Sequence, residues 1–182
     1  MKKSVIIIIS AAAVCVIAAC ILFLTGVIKF PWRKEPAAPK KAAFYVEYIN
    51  TCMLVAADGV VIGSTDEPPA DIPEVSGISF SKIIVGEELE PTDPHTYEYA
   101  RKVIDSLTRN TVFVNKVYIS SDLQATMYIN KVRVLLGADD KTEEKIRDLR
   151  DFYEDMKDLS GTLDMQQLSV NNHGYSLRPD KE

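Results

Sequence analysis

Residues 4–28, SVIIIISAAAVCVIAACILFLTGVI, carry no ionised side chain. An uncharged apolar run of 25 residues is long enough to cross the roughly 30 Å hydrocarbon core of a bilayer as one helix, with some tilt. Lys2 and Lys3 precede it. Trp32 and Arg33 follow beside Phe30 and Lys34, the amphipathic flank of a membrane interface. One transmembrane helix in the lipid bilayer is therefore expected over 4–28. A cleaved signal peptide has a shorter apolar core and a small-residue cleavage site, and this run continues past every such site. Ile17-Ala18-Ala19-Cys20 has the residue types of a lipoprotein cleavage box, but apolar ILFLTGVI follows where a mature lipoprotein is polar. Either course leaves the rest of the chain tethered to a membrane. Charge leaves the orientation open. Lys29, Arg33, Lys34, Lys40 and Lys41 outnumber the lysines before the span, yet that bias weakens when a long domain is translocated.

What remains is enough chain for one domain. Residues 42–182 hold 14 Lys and Arg against 25 Asp and Glu. So acidic a surface repels a phosphate backbone, and no nucleic acid is expected as a partner. Cys15 and Cys20 fall in the apolar run and Cys52 stands alone, so the domain has neither an internal disulfide nor a cysteine metal site.

Residues 29–42 read as a short extended linker, stiffened by Pro36 and Pro39. The domain follows over 43–178, with a tail at 179–182. Asp58-Gly59 between two apolar runs predicts a β-hairpin whose turn positions want positive φ. Residues 64–80, STDEPPADIPEVSGISF, predict a proline-broken loop, and 82–90 a brief strand or bend. Thr92-Asp93-Pro94 starts a helix, with an oxygen-bearing cap before proline. Ala100, Val103, Ile104 and Leu107 give that helix a buried stripe, and Asn110 suits its end. NKVYIS, ATMYIN and VRVLLG then alternate as strands do. The fold class expected is α+β: the transmembrane helix, then a mixed, mostly antiparallel sheet with two packed helices.

The second helix lies in the most heavily charged stretch, residues 138–158, between two strands. Asp140 suits its N-cap, with Glu143 completing a capping box. Ile146, Leu149, Tyr153 and Met156 share one stripe. Glu143, Arg147 and Asp151 are spaced for i,i+4 pairs worth only a few tenths of a kcal/mol. The charge is thus expected to be a solvated face.

No nucleophile elbow, phosphate loop or His-Glu-x-x-His pattern is present, and His95 and His173 are far apart. Glu87, Glu88, Glu90 and Asp93 lack the rhythm of a calcium loop. Tyr45, Tyr48, Tyr97 and Tyr99 fit strand and helix packing. These features imply a binding or structural protein with no catalytic residues, no metal, no cofactor and no small-molecule substrate. A globular enzyme and a membrane-tethered sensor or ligand-binding module are the alternatives. The last strand, about 175–178, is followed in this sequence by the tail alone, so it is expected to be a free sheet edge. Tyr175 and Leu177 then share one face and Ser176 and Arg178 the other, with the amide of Ser176 facing a captured chain.

LVAADGVVIG, IPEVSGI, the capped helix, VRVLLG leading into an amphipathic helix, and GTLDM followed by GYSLRP stand in an order that resembles the extracytoplasmic β domain of the bacterial cell-division proteins FtsQ/DivIB. Pro73 to Gly77 matches the family's Pro-x-hydrophobic-x-Gly segment, and Leu136-Gly137 its strand end. Leu163-Asp164-Met165, Tyr175 and Pro179 match its closing strands. The resemblance implies a non-catalytic, single-pass plasma-membrane scaffold acting in septum formation. Residues 1–3 would be cytoplasmic and the β domain would face outward. The partners it implies are FtsB- and FtsL-like proteins, joined by strand addition at the last strands. Carried over, the partner-binding residues are Asp164, Met165, Gln167, Ser169, Gly174, Tyr175, Ser176 and Leu177. Gln167 replaces the family's tyrosine and Tyr175 its tryptophan. The family's POTRA domain has no counterpart between residues 28 and 43.

Overall fold

The computed structural model describes residues 40–138, 141–166 and 175–179. The chain divides into two units, Met1–Pro39 and Lys40–Glu182, and all the described residues belong to the second. The expected fold class needs correction. Among the described residues no helix is long and apolar enough to cross a membrane. The run at 4–28, with Lys2, Lys3, Trp32 and Arg33 around it, lies outside them. The two helices described are amphipathic, each with one buried stripe and charges elsewhere, so neither is a spanning element. The described chain is mixed α/β.

Its centre is a nine-stranded sheet. In chain order the strands are β1 (Ala42–Tyr48), β2 (Thr51–Ala56), β3 (Val61–Thr65), β4 (Glu74–Ser76), β5 (Phe80–Lys82), β6 (Glu90–Pro91), β7 (Lys116–Ile119), β8 (Ala125–Ile129), β9 (Lys131–Gly137), β10 (Ser160–Asp164) and β11 (Ser176–Arg178). Helix α1 spans Pro94–Asn110 and α2 Thr142–Asp151. The spatial order is β11-β10-β9-β8-β7-β4-β1-β2-β3, with β5 and β6 paired separately. The pairs β1/β4, β4/β7 and β9/β10 are parallel, and the rest are antiparallel.

Two parallel neighbours need a crossover, and each helix supplies one: α1 between β4 and β7, α2 between β9 and β10. Both crossovers step toward β11 from strands that point the same way. A right-handed connection then places both helices on the same face of the sheet. They meet there through Glu143 of α2, which accepts from Ser106 Oγ at 2.8 Å and pairs with Arg109 at 3.0 Å. Val103, Leu107, Ile146 and Leu149 pack on Phe44, Val75, Val117, Met127, Val134 and Leu136 in one core. Each such side chain contributes about 1.5–3 kcal/mol by leaving water. Among the described residues the opposite face carries a small cluster of Tyr45, Cys52 and Ile72.

Strand β4 falls inside the predicted proline-broken loop. Three residues are too few to show a period, so the strand is specified by its neighbours. Pro73 gives its carbonyl to Tyr45 N at 3.0 Å, Glu74 N donates to Asn115 O at 3.0 Å, and Lys116 pairs with Glu74 at 2.6 Å. Gly77 ends the strand at φ +84, where a Cβ would lie 2.0 Å from the Ile119 carbonyl oxygen. Only glycine fits there, which explains the spacing of Pro73 and Gly77.

Helix α1 starts as the sequence predicts, with Asp93 capping and Pro94 first, and Thr111 in the left-handed region closes it. Helix α2 does not. Lys141 holds its N-cap position at φ +55 with no side-chain cap bond, and Asp140 lies outside the described residues. The Glu143 carboxylate is drawn off by Ser106, Asn110 and Arg109, so it closes no capping box. The helix ends at Asp151, and Met156 reaches the core from a 3₁₀ turn, Asp155–Asp158. At the Asp58-Gly59 hairpin only Gly59 has positive φ. The β1–β2 turn is the one with two such residues, Ile49 and Asn50.

Candidate functional site

A sheet of this order has two edges, β3 and β11. The outer side of β3 is bonded at its start: Val61 N donates to Glu87 O at 2.9 Å and Gly86 N to Val61 O at 2.7 Å. On β11, among the described residues, no strand follows on the outer side.

The direction of each backbone group on β11 follows from its neighbours. Met165 N donates to Leu135 O at 2.9 Å, so residue 165 faces β9, and by alternation 163 does too. Residues 164 and 162 therefore face β11. Their register partners are Ser176 and Arg178, which exchange backbone bonds with β10, while Leu163 and Leu177 form the pair between. The N–H and C=O of Leu177 point outward, as do those of Tyr175. Pro179 takes the next outward position, where a residue without an N–H suits an edge. The outward donor expected at Ser176 is thus at Leu177.

Two features hold β11 in place. Gly161 of β10 has φ +137, and a Cβ there would lie 2.3 Å from the Arg178 carbonyl oxygen and 2.9 Å from Pro179 Cα. The strand can approach only because residue 161 is glycine. Tyr175 OH donates to Asp148 Oδ2 at 2.7 Å, and its ring meets Phe152 at 5.9 Å between centroids. Burial pushes the Tyr175 hydroxyl well above the usual tyrosine range, and its bond to Asp148 adds to the shift.

Lys145 is fully buried on α2. Its Nζ donates to Leu136 O at 3.0 Å and Gln166 O at 3.2 Å, joining the ends of β9 and β10. Glu143, Lys145 and Asp148, three members of the supposed solvated face, therefore tie the helix to α1, to the strand ends and to the start of β11. Sequence spacing gave no sign of Lys145. A lysine next to the apolar stripe looks the same whether its ammonium reaches solvent or two carbonyls.

The carried-over partner residues do not all meet at the edge. Tyr175 and Leu177 are half-buried against the core, and Arg178 lies on the opposite face. Met165 is fully buried under the sheet, so it supports the edge from within. Asp164 accepts from Gln166 N at 3.1 Å and faces β11. Gln167, Ser169 and Gly174 lie outside the described residues. Gly161, Lys145 and Asp148 belong to the edge and were not among the expected residues.

One further concavity, of about 920 Å³, lies between the start of β1, α1 and residues 111–114. Phe44, Ile104, Leu107, Val112 and Val114 line it, and Lys41, Asp71, Glu98 and Asp105 are exposed around it. No buried polar side chain lines it to orient a small molecule. Among the described residues no three His, Cys, Asp or Glu side chains gather as a metal site. Glu87 instead pairs with Lys82 at 2.7 Å, and Asp93 caps α1. Compared with known families and curated proteins, the sequence matches no family model and no curated protein.

Proposed function

We propose that this protein is a non-catalytic scaffold of the FtsQ/DivIB type, acting at the plasma membrane during septum formation with its domain outside the cytoplasm. It captures FtsB- and FtsL-like partners by adding a strand of theirs to β11. The observation that carries the reading is at the two edges: β3 is bonded on its outer side at its first residue, Val61, whereas β11 presents Leu177 N–H and C=O outward. An uncovered edge is a template for another chain, and natural proteins either blunt it or use it. Backbone bonds give such a complex affinity, and alternate side chains give it selectivity.

The purified full chain, mixed with the extracytoplasmic segments of FtsB- and FtsL-like proteins from the same organism, should bind at least one of them. The amide of Leu177 should become protected from hydrogen exchange in the complex. Leu177→Pro removes the outward donor and leaves the inward bonds of Ser176 and Arg178, so it should abolish capture in a chain that still folds. Binding without protection at Leu177 would move the interface elsewhere. A small molecule that binds the 920 Å³ concavity, with no strand captured, would favour the ligand-binding alternative.

A further inference from the structure

The helix-free face of the sheet beside the edge is basic on an otherwise acidic domain. Across four strands the register aligns Tyr128, Arg133, Thr162 and Arg178 in one row. Directly opposed residues share a face, and Arg133 donates to Thr162 Oγ1 at 3.2 Å on that side. Exposed Lys131 lies in the adjoining row, opposite Ser160. Arg133 is thus bonded to a neutral hydroxyl. The Arg178 side chain is 75% exposed and meets Asp164 only at 4.0 Å. Residues 42–182, by contrast, hold 25 acidic against 14 basic side chains.

We infer that β11 selects a strand in which an acidic side chain stands beside Arg178 and an apolar one beside Leu177. The inference rests on strand capture at β11 and adds the chemistry of the captured segment. A strand added to the edge continues the row, so its residue opposite Arg178 projects from the same face whichever way the strand runs. Leu177 has its backbone groups outward, so in an antiparallel addition it forms the hydrogen-bonded pair. Arg178 then falls in the pair whose side chains approach more closely. Opposite charges at such a position stabilise a sheet and like charges destabilise it. The only side chain of β10 opposite Arg178 is the neutral Thr162. On the other face Leu177 is half-buried against the core, where a charged neighbour would lose water. The partner signature is an extended segment that alternates apolar and acidic residues. The fit is by charge complementarity at an edge whose outward amide is already placed.

The test uses the full chain and two short synthetic peptides, one alternating valine with glutamate and one alternating valine with lysine. The glutamate peptide should bind about tenfold more tightly, the size expected when an opposite-charge pair replaces a like-charge one. Raising the salt to about 1 M should shrink the difference, because the Debye length falls to roughly 3 Å. Arg178→Glu should invert the preference, and Leu177→Pro should remove binding of both peptides. Equal binding of the two peptides, still lost in Leu177→Pro, would overturn the charge selection while keeping the edge. A glutamate preference that survives Leu177→Pro would overturn strand capture and this inference with it. A folded chain that takes up neither peptide would also overturn the inference.

Discussion

Lys145 and Gln166 are joined by a 3.2 Å hydrogen bond from a fully buried ammonium to a backbone carbonyl. Gln166 is the last described residue before the segment that leads to β11, and the same ammonium holds Leu136 O at 3.0 Å. The helix is therefore anchored to the ends of two parallel strands by a group that a wet face would have left in solvent. An ammonium tolerates such burial only because several acceptors surround it. Its position in the sequence is beside Ile146 in the apolar stripe, and it packs as part of that stripe.

Lys145→Met keeps the length and apolar stem of the side chain and removes the donor. At least two buried carbonyls lose a partner, which costs about 1–3 kcal/mol for each group left unsatisfied. Urea denaturation should show the loss, with faster hydrogen exchange concentrated at the ends of β9 and β10. An unchanged midpoint would mean that the carbonyls find other partners.

The Tyr175–Asp148 bond makes a smaller and pH-dependent contribution. Folding raises the Tyr175 pKa, first by burial and then through Asp148, so the folded chain holds the proton more tightly than the unfolded one. The stabilisation is complete below the unfolded tyrosine value of about 10 and is lost as pH rises through the folded value. Tyr175→Phe should cost about 1 kcal/mol at neutral pH, the net worth of a typical hydrogen bond. The difference from the parent should shrink only in strongly alkaline solution. A difference that disappears near neutrality would sink the assignment.

Glu143 titrates in the opposite sense. Its carboxylate is held below the usual range, chiefly by the Ser106 hydroxyl, with Asn110 and Arg109 assisting against a smaller effect of burial. A pKa lowered on folding gives stability that is complete above the unfolded value of about 4 and lost as pH falls through the folded one. Glu143→Gln should lower the thermal midpoint at neutral pH, and the gap should close on acidification. Because the site is half-exposed, added salt should narrow it too.

Much of this was legible in the sequence, and the failures have physical causes. The α1 cap at Asp93-Pro94 and the strands β7, β8 and β9 are local signals, written in residue type and alternation. Strand β4 is not local: Glu74–Ser76 becomes a strand because β1 and β7 present backbone groups on either side. The partners of the α2 charges are tertiary as well. Glu143 and Arg147 have ideal helix spacing, but the tight contacts of Glu143 run to Ser106 and Arg109 on the other helix. At the edge, alternation assigned Tyr175 and Leu177 to one face. The choice between Ser176 and Leu177 as outward donor needed the bond from Met165 to Leu135, which ties strands distant in sequence.

The edge itself can be tested without touching a residue that meets a partner. Gly161 lies on β10, behind β11, and a methyl group there would sit 2.3 Å from the Arg178 carbonyl oxygen. That neighbour is backbone, so the overlap cannot be relieved by a side-chain rotation, and φ +137 further disfavours alanine. Gly161→Ala should therefore push β11 off the sheet and leave the core of α1, α2 and β7–β9 intact. Far-UV circular dichroism should be nearly unchanged, the Ser176 and Arg178 amides should lose protection, and capture of FtsB- or FtsL-like segments should fall below detection. Gly63→Ala is the control, since nothing lies within 4 Å of its Cβ position on β3. It should fold and bind like the parent. If Gly161→Ala exposes the β11 amides yet still captures the same segment, the partner does not pair with β11, and the scaffold would have to bind through another surface.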